Sequence, residues 1–157
     1  MHPILILDNI RSTYNVGSIF RTSDAVGVDM IYLIGTTPTP IDRFGRKRKD
    51  ISKTSLGAED TVSWKYSKTI SKIITNLKKQ GYVIVALEQS PKSIDYIKAV
   101  KLLKSKPIAL IVGNEVNGVS QKALTISDYI VEIPMHRKKE SLNVSVAVGI
   151  AMFRLFQ

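Results

Sequence analysis

The 157-residue chain carries 23 Lys and Arg against 13 Asp and Glu, a formal net charge of +10, and 44% of its residues are hydrophobic. It is long and apolar enough to bury a core, which excludes a disordered chain, and its positive field favours a polyanionic partner, nucleic acid above all. The absence of cysteine excludes disulfides, a thiolate zinc site and a cysteine nucleophile.

The chain opens Met1-His2-Pro3-Ile4 and enters a strand directly, with neither a basic leader region nor a cleavage site. No apolar run reaches the length of a membrane span, so a soluble, cytoplasmic protein is expected. Apolar and β-branched runs at 3–7, 30–34, 82–87, 108–112 and 129–133 predict five strands. They are continuous rather than alternating, as in a parallel sheet covered on both faces. A first helix is predicted from about Asn15, an N-cap type, with Val16, Ile19, Phe20 and Val26 on one side and Gly27 as its stop. Residues 35–66 form a long connection, a feature that is usually functional in a compact domain, with a short helical turn at 55–59. A second helix covers roughly 67–80, with Ile70, Ile73, Ile74 and Leu77 inward and Gly81 as its end. A short helix follows Ser120, and the last runs over about 142–156.

This order gives an α/β fold, a mostly parallel sheet flanked by helices, with no visible domain boundary. The last helix is apolar around most of its circumference. Leu142, Val146, Ile150 and Phe153 follow one line, and Val144, Ala147, Val148, Ala151 and Leu155 follow others. A helix of that kind needs two partners, here the sheet and a second subunit.

The charge is unevenly placed. Residues 1–42 hold only Arg11 and Arg21 as bases, whereas residues 43–53 hold Arg43, Arg46, Lys47, Arg48, Lys49 and Lys53. In a Gly- and Pro-punctuated loop after a strand, such a run reads as a phosphate contact. Aromatic residues are 7% of the chain, so base-stacking platforms interleaved with the basic run are not expected. Recognition of the backbone and shape of a folded RNA is expected instead.

Three segments share a strand-then-polar-loop design. The first reads Asn-x-Gly-x-x-x-Arg-Thr-Ser from Asn15 to Ser23, and the second Leu-x-x-Gly-x-Glu-x-x-Gly from Leu110 to Gly118. The third is Ile133-Pro134-Met135, followed after five residues by Ser141-Leu142-Asn143-Val144-Ser145-Val146-Ala147. In a parallel sheet such loops gather at the carboxyl edge, where ligands bind. In this order they resemble the three motifs of the SpoU/TrmH-type (SPOUT superfamily) RNA 2′-O-ribose methyltransferases. The resemblance implies a SPOUT fold with a C-terminal trefoil knot, a homodimer, and S-adenosylmethionine bent within the knot. It also implies methyl transfer to a ribose 2′-hydroxyl of tRNA or rRNA. One SPOUT methyltransferase domain, residues 1–157, would do this without an appended RNA-binding domain. The alternative is a degenerate relative that binds RNA without turnover.

On that resemblance Asn15, Arg21, Glu115, Ser141 and Asn143 are the catalytic candidates. Arg21 would act on the ribose oxygen or its neighbouring phosphate. A guanidinium is too basic to take a proton near neutrality, so its chemistry suits a phosphate clamp and alkoxide stabilisation. Asn15 would cap its helix or orient Arg21, and Ser141 and Asn143 would hold the ribose and the Arg21 side chain. Gly17, in a helix at a cost of roughly 1 kcal/mol, implies a close approach by backbone or ligand. Ile133, Met135 and Leu142 would form the adenine pocket, with Leu87, Gly113 and Gly118 as further cofactor contacts. RNA contacts would come from Arg11, Arg43, Arg46, Lys47, Arg48, Lys49, Arg137 and Lys138, with Lys139 beside them. Many relatives carry Gly two residues after the motif Met, where this chain has Arg137. If that position needs φ > 0, Arg costs roughly 1 kcal/mol or more and weakens cofactor binding. No metal is expected, because nothing resembles HExxH or a carboxylate cluster. Neither GxxxxGK[ST] nor a GxGxxG after the first strand is present, which argues against other nucleotide-binding classes.

Overall fold

The computed structural model describes residues 2–138 and 140–157; Met1 and Lys139, the latter named above beside the RNA contacts, lie outside the described residues. In chain order the elements are β1 (Ile4–Asp8), α1 (Thr13–Val26), β2 (Met30–Ile34), α2 (Lys49–Ser55), α3 (Ala58–Thr61), β3 (Ser63–Ser67) and α4 (Ile70–Lys79). They continue with β4 (Val83–Leu87), β5 (Ile94–Asp95), α5 (Tyr96–Leu103), β6 (Ile108–Gly113), α6 (Gln121–Ile126), β7 (Tyr129–Glu132) and α7 (Val144–Leu155). The strands form one parallel sheet in the order β3-β2-β1-β6-β4-β7-β5.

Every residue of β1 and β6, at the centre, is buried, which is why these strands read as unbroken apolar runs. Their side chains alternate between two cores. Leu5 and Leu7 face a layer built with Val16, Ile19 and Phe20 of α1, Ile51 of α2, Leu103 of α5 and Met152 of α7. Ile4 and Ile6 face the opposite layer, with Ile70, Ile74 and Leu77 of α4 and Ala123 of α6. Burying a side chain such as Phe20 contributes about 1.5–3 kcal/mol.

Four expectations are corrected. The connection 35–66 is not one loop but contains α2, α3 and the start of the edge strand β3. The first helix starts at Thr13, and Ser12, not Asn15, caps it, its hydroxyl accepting from the Asn15 N–H at 3.2 Å. Ile133 falls beyond β7, in the loop. Asn143 caps α7, so that helix starts two residues later than its apolar pattern suggests.

Two packing features bear on the site. Helices α1 and α2 approach so closely at Gly17 that a Cβ there would collide with Thr54 Oγ1 and the Ile51 carbonyl. Backbone, not ligand, explains this glycine. Helix α7 buries Val148, Ala151, Met152 and Leu155 against α1 and α5, while Leu142, Val146, Ile150 and Phe153 stay 37–50% exposed.

Candidate active site

The loops after β4, β6 and β7 enclose a cleft of about 310 Å³ at the carboxyl edge of the sheet. Leu87, Gly113, Gly118, Ile133, Met135 and Leu142, the six residues named for the cofactor, all line it, as do Glu115, Ser141 and Asn143.

A hydrogen-bonded line ties the three motif segments together. Glu115 accepts from the backbone N–H groups of Arg11 and Ser12, both at 3.0 Å, and from Asn15 Nδ2 at 3.1 Å. Asn15 Oδ1 in turn accepts from Asn143 Nδ2 at 3.2 Å. Asn143 Oδ1 then accepts from the Ser145 N–H at 2.9 Å and the Ser145 hydroxyl at 2.6 Å, capping α7. Burial raises the Glu115 pKa, but the N–H donors of Arg11 and Ser12 outweigh it and hold the carboxyl below the ordinary glutamate range. The charge sits at the start of α1, where the helix dipole favours an anion.

A second set of bonds fixes the loop floor. Asp8, 1% exposed, accepts from the Ser120 N–H at 2.9 Å and from Asn9 Nδ2 at 2.8 Å. Asn114 Nδ2 donates to the Asn9 carbonyl at 2.7 Å. Glu88 accepts from the Val119 N–H at 2.8 Å and the Gln89 N–H at 2.9 Å, and Gln89 Nε2 donates to the Glu140 carbonyl at 2.6 Å. Gly118 has φ +68°, and a Cβ there would run into the Glu88 carboxylate, so closing this loop requires glycine.

Residues 2–153 match the SpoU rRNA Methylase family. The chain belongs to that family. It is 29% identical over 147 residues to the tRNA (guanosine(18)-2′-O)-methyltransferase of Escherichia coli K12, covering 94% of this chain and 59% of that one. The A. aeolicus TrmH/SpoU tRNA modifying enzyme superposes with a TM-score of 0.82 at 32% identity, over 98% of this chain and 73% of that one. The AdoMet-bound rRNA methyltransferase from Sinorhizobium meliloti gives 0.85 at 29% identity, over 99% and 57%. The chain spans about three-fifths of the length of the curated relatives it matches.

Within one chain of this SpoU family member, Arg21 stands apart from the other catalytic candidates. It is exposed and lines a separate shallow groove with Ser18, Thr22, Lys53, Thr54 and Phe153. Six positions at about 100° each put it about 120° around α1 from Asn15. Asn15 therefore bonds Glu115 and Asn143 rather than orienting Arg21, and neither Ser141 nor Asn143 meets the guanidinium.

The basic run is partly paired on the surface. Arg46 bonds Asp42 at 2.9 Å, Arg48 bonds Asp50 at 3.1 Å, and Lys47 pairs with Asp60. The hydrogen bonds that the Arg48 guanidinium donates to the Asp50 carboxylate raise the Arg48 pKa and lower the Asp50 pKa. At a solvent-screened surface such pairs are weak. Arg43, Lys49, Arg11, Arg137 and Lys138 are exposed. The expectation about aromatics is corrected: Phe44 stands inside the basic run, 65% exposed, between Arg43 and Arg46.

Arg137 is not strained. Among the described residues the non-glycine residues with positive φ are Asn9, Leu56 and Ser105, so the Arg137 backbone does not occupy the left-handed region.

Sequence reasoning missed Glu88, Gln89 and Glu132, which also line the cleft. The signal was available: a Glu directly after a buried strand lies at the sheet's carboxyl edge. Among the described residues no group of three or more His, Cys, Asp or Glu is placed to hold a metal ion, and no helix is long and apolar enough to cross a membrane.

Proposed function

We propose that this chain transfers a methyl group from S-adenosylmethionine to a ribose 2′-hydroxyl of tRNA or rRNA, working in the cytoplasm as a homodimer. The observation that carries the reading is the line Glu115–Asn15–Asn143, which joins all three motifs at one cleft. The residues present fit the cofactor. Leu87, Ile133, Met135 and Leu142 offer an apolar bed for a purine, and three acidic residues, Glu88, Glu115 and Glu132, are among the lining of the cleft in a chain with net charge +10. Those carboxylates suit the sulfonium and ammonium cations. When bound, the cofactor supplies an electrophilic methyl group.

Asn143, held by Asn15 and Ser145, lines the cleft with Ser141 beside it, and the two hold the ribose. That removes orientational freedom before reaction. A homodimer accounts for the separated Arg21. The exposed stripe runs from Leu142, just before α7 and in the cleft, along α7 to Phe153, in the groove that Arg21 lines. A two-fold pairing on that stripe sets each Arg21 beside the other copy's cleft. There the guanidinium clamps the adjacent phosphate and stabilises the charge that develops on the 2′-oxygen. A knotted path for the segment after β7 belongs to the same reading. Its support is that Gln89, in the loop after β4, and Asn15, in the first turn of α1, both bond that segment.

The test is transfer of labelled methyl from S-adenosylmethionine to bulk tRNA and rRNA, with nuclease mapping, for wild type, Arg21→Ala and Asn143→Ala. A methylated ribose that is lost in both variants supports the reading. Wild type that binds neither cofactor nor RNA refutes it.

A further inference from the structure

The tip formed by residues 42–46 is ordered by one carboxylate. Asp42 Oδ1 accepts from the Phe44 N–H at 2.8 Å and the Arg46 N–H at 3.0 Å, and the Asp42 N–H donates to the Arg46 carbonyl at 2.9 Å. Below the tip, Ile41 and Lys47 form an antiparallel bridge. This framework holds a phenyl ring out in water. The guanidinium carbons of Arg43 and Arg46 stand 4.7 and 5.0 Å from the ring centroid, and the ring still leaves Phe44 65% exposed.

Tyr66, on the edge strand β3, is 47% exposed and faces the same groove, its hydroxyl donating to the Gly35 carbonyl at 3.0 Å. The groove measures about 700 Å³ and is lined by Pro38, Thr39, Ile41, Arg43, Phe44 and Tyr66, among others. A large apolar ring gains nothing from display in water. It gains from a flat apolar partner, and the flanking cations select an anionic one.

We propose that this groove receives an unpaired nucleobase of the RNA substrate, stacked on Phe44 and Tyr66, with its flanking phosphates on Arg43 and Arg46. The inference rests on the RNA-methyltransferase reading and deepens it. A base inside a duplex cannot offer its face to a side chain, whereas bases in loops, bulges and ends can. The substrate site therefore lies next to a single-stranded segment. Stacking is tolerant of base identity, since every base has a π-face. Arg46 reaches its phosphate by leaving Asp42, an exchange between two exposed ion partners.

The test is direct binding of the full chain to a 12-nucleotide single-stranded RNA carrying 2-aminopurine at its centre, and to the same RNA with an abasic site there. Wild type is expected to quench the fluorophore. Phe44→Ala is expected to lose the quench and raise Kd by about 5- to 150-fold, the range for one aromatic stack. Phe44→Trp retains both, and the abasic RNA shows no difference between wild type and Phe44→Ala. Arg43→Ala instead lowers the log–log salt slope by about 0.7, the signature of one phosphate contact on a single strand. Equal Kd and quench for wild type and Phe44→Ala, at matched melting temperatures, overturn the proposal. So does an effect of equal size on the abasic RNA, or a change in self-association in place of RNA affinity. Because stacking is read without methyl transfer, a wild type that quenches the probe but transfers no methyl supports the groove while refuting the methyltransferase reading.

Discussion

Gly17→Ala is the substitution on which two physical effects disagree in sign. In an exposed helix interior, replacing Gly by Ala stabilises by about 1 kcal/mol. At Gly17 the new methyl would meet Thr54 Oγ1, the Ile51 carbonyl and the Ser55 N–H of α2. The Thr54 side chain can rotate away, at the loss of its hydrogen bond to the Tyr14 carbonyl at 3.0 Å, worth about 1 kcal/mol. The Ile51 carbonyl belongs to the backbone of α2 and moves only if the helix moves. Overpacking of this kind costs about 1–3 kcal/mol. The balance is a net loss of about 1–3 kcal/mol, which for a domain of this size lowers Tm by about 2–12 °C. Gly149→Ala, in α7, is the matched control. Its Cβ would meet only Thr22 Cγ2, at an ordinary 3.5 Å, so the helix gain of up to about 1 kcal/mol survives and Tm rises. Thermal melts followed by circular dichroism, with urea titrations, measure both. A Gly17→Ala protein as stable as wild type would refute the close-approach argument.

Glu115→Gln removes the charge that accepts from Arg11 and Ser12, and it should lower stability at neutral pH by about 1 kcal/mol, given the solvent exposure. Because the folded Glu115 pKa lies below the ordinary value near 4.3, its contribution is complete above that value and is lost as pH falls through the folded pKa. The gap between wild type and variant should close in acid, as urea midpoints against pH would reveal; a constant gap would mean the charge plays no part. Val146→Asp, at a position 50% exposed, should give a folded monomer by light scattering, whereas a persistent dimer would place the interface elsewhere. Arg137→Gly should leave cofactor affinity within about twofold by calorimetry; a gain of about tenfold, 1.4 kcal/mol, would reveal strain at Arg137.

The five long apolar strands were legible because β1, β6 and their neighbours are buried on both faces. β3 was not, since Ser63-Trp64-Lys65-Tyr66-Ser67 is an edge strand that burial does not pattern, and two-residue β5 carries no period at all. α5 did carry a signal, with Ala99 and Leu103 inward at helical spacing behind the Asp95 cap, but no element was expected between the strands at 82–87 and 108–112. In the site, the cofactor candidates were legible because motif spacing fixes which residues follow which strand. The separation of Arg21 from Asn15 depends on rotation around α1, which a linear motif conceals although the helical period contains it. Phe44 was passed over because overall aromatic content was weighed instead of the one ring within the basic run.

The line Glu115–Asn15–Asn143 also dictates when the cleft comes into being. Arg11 and Glu115 are 104 positions apart, and Asn15 and Asn143 are 128 apart. Such distant pairings are slow to find one another. During synthesis the N–H groups of Arg11 and Ser12 stay solvated until Glu115 has been made, and Asn15 meets Asn143 only after the start of α7 has emerged. A growing chain therefore has no cleft to offer, and competence arrives in one late step.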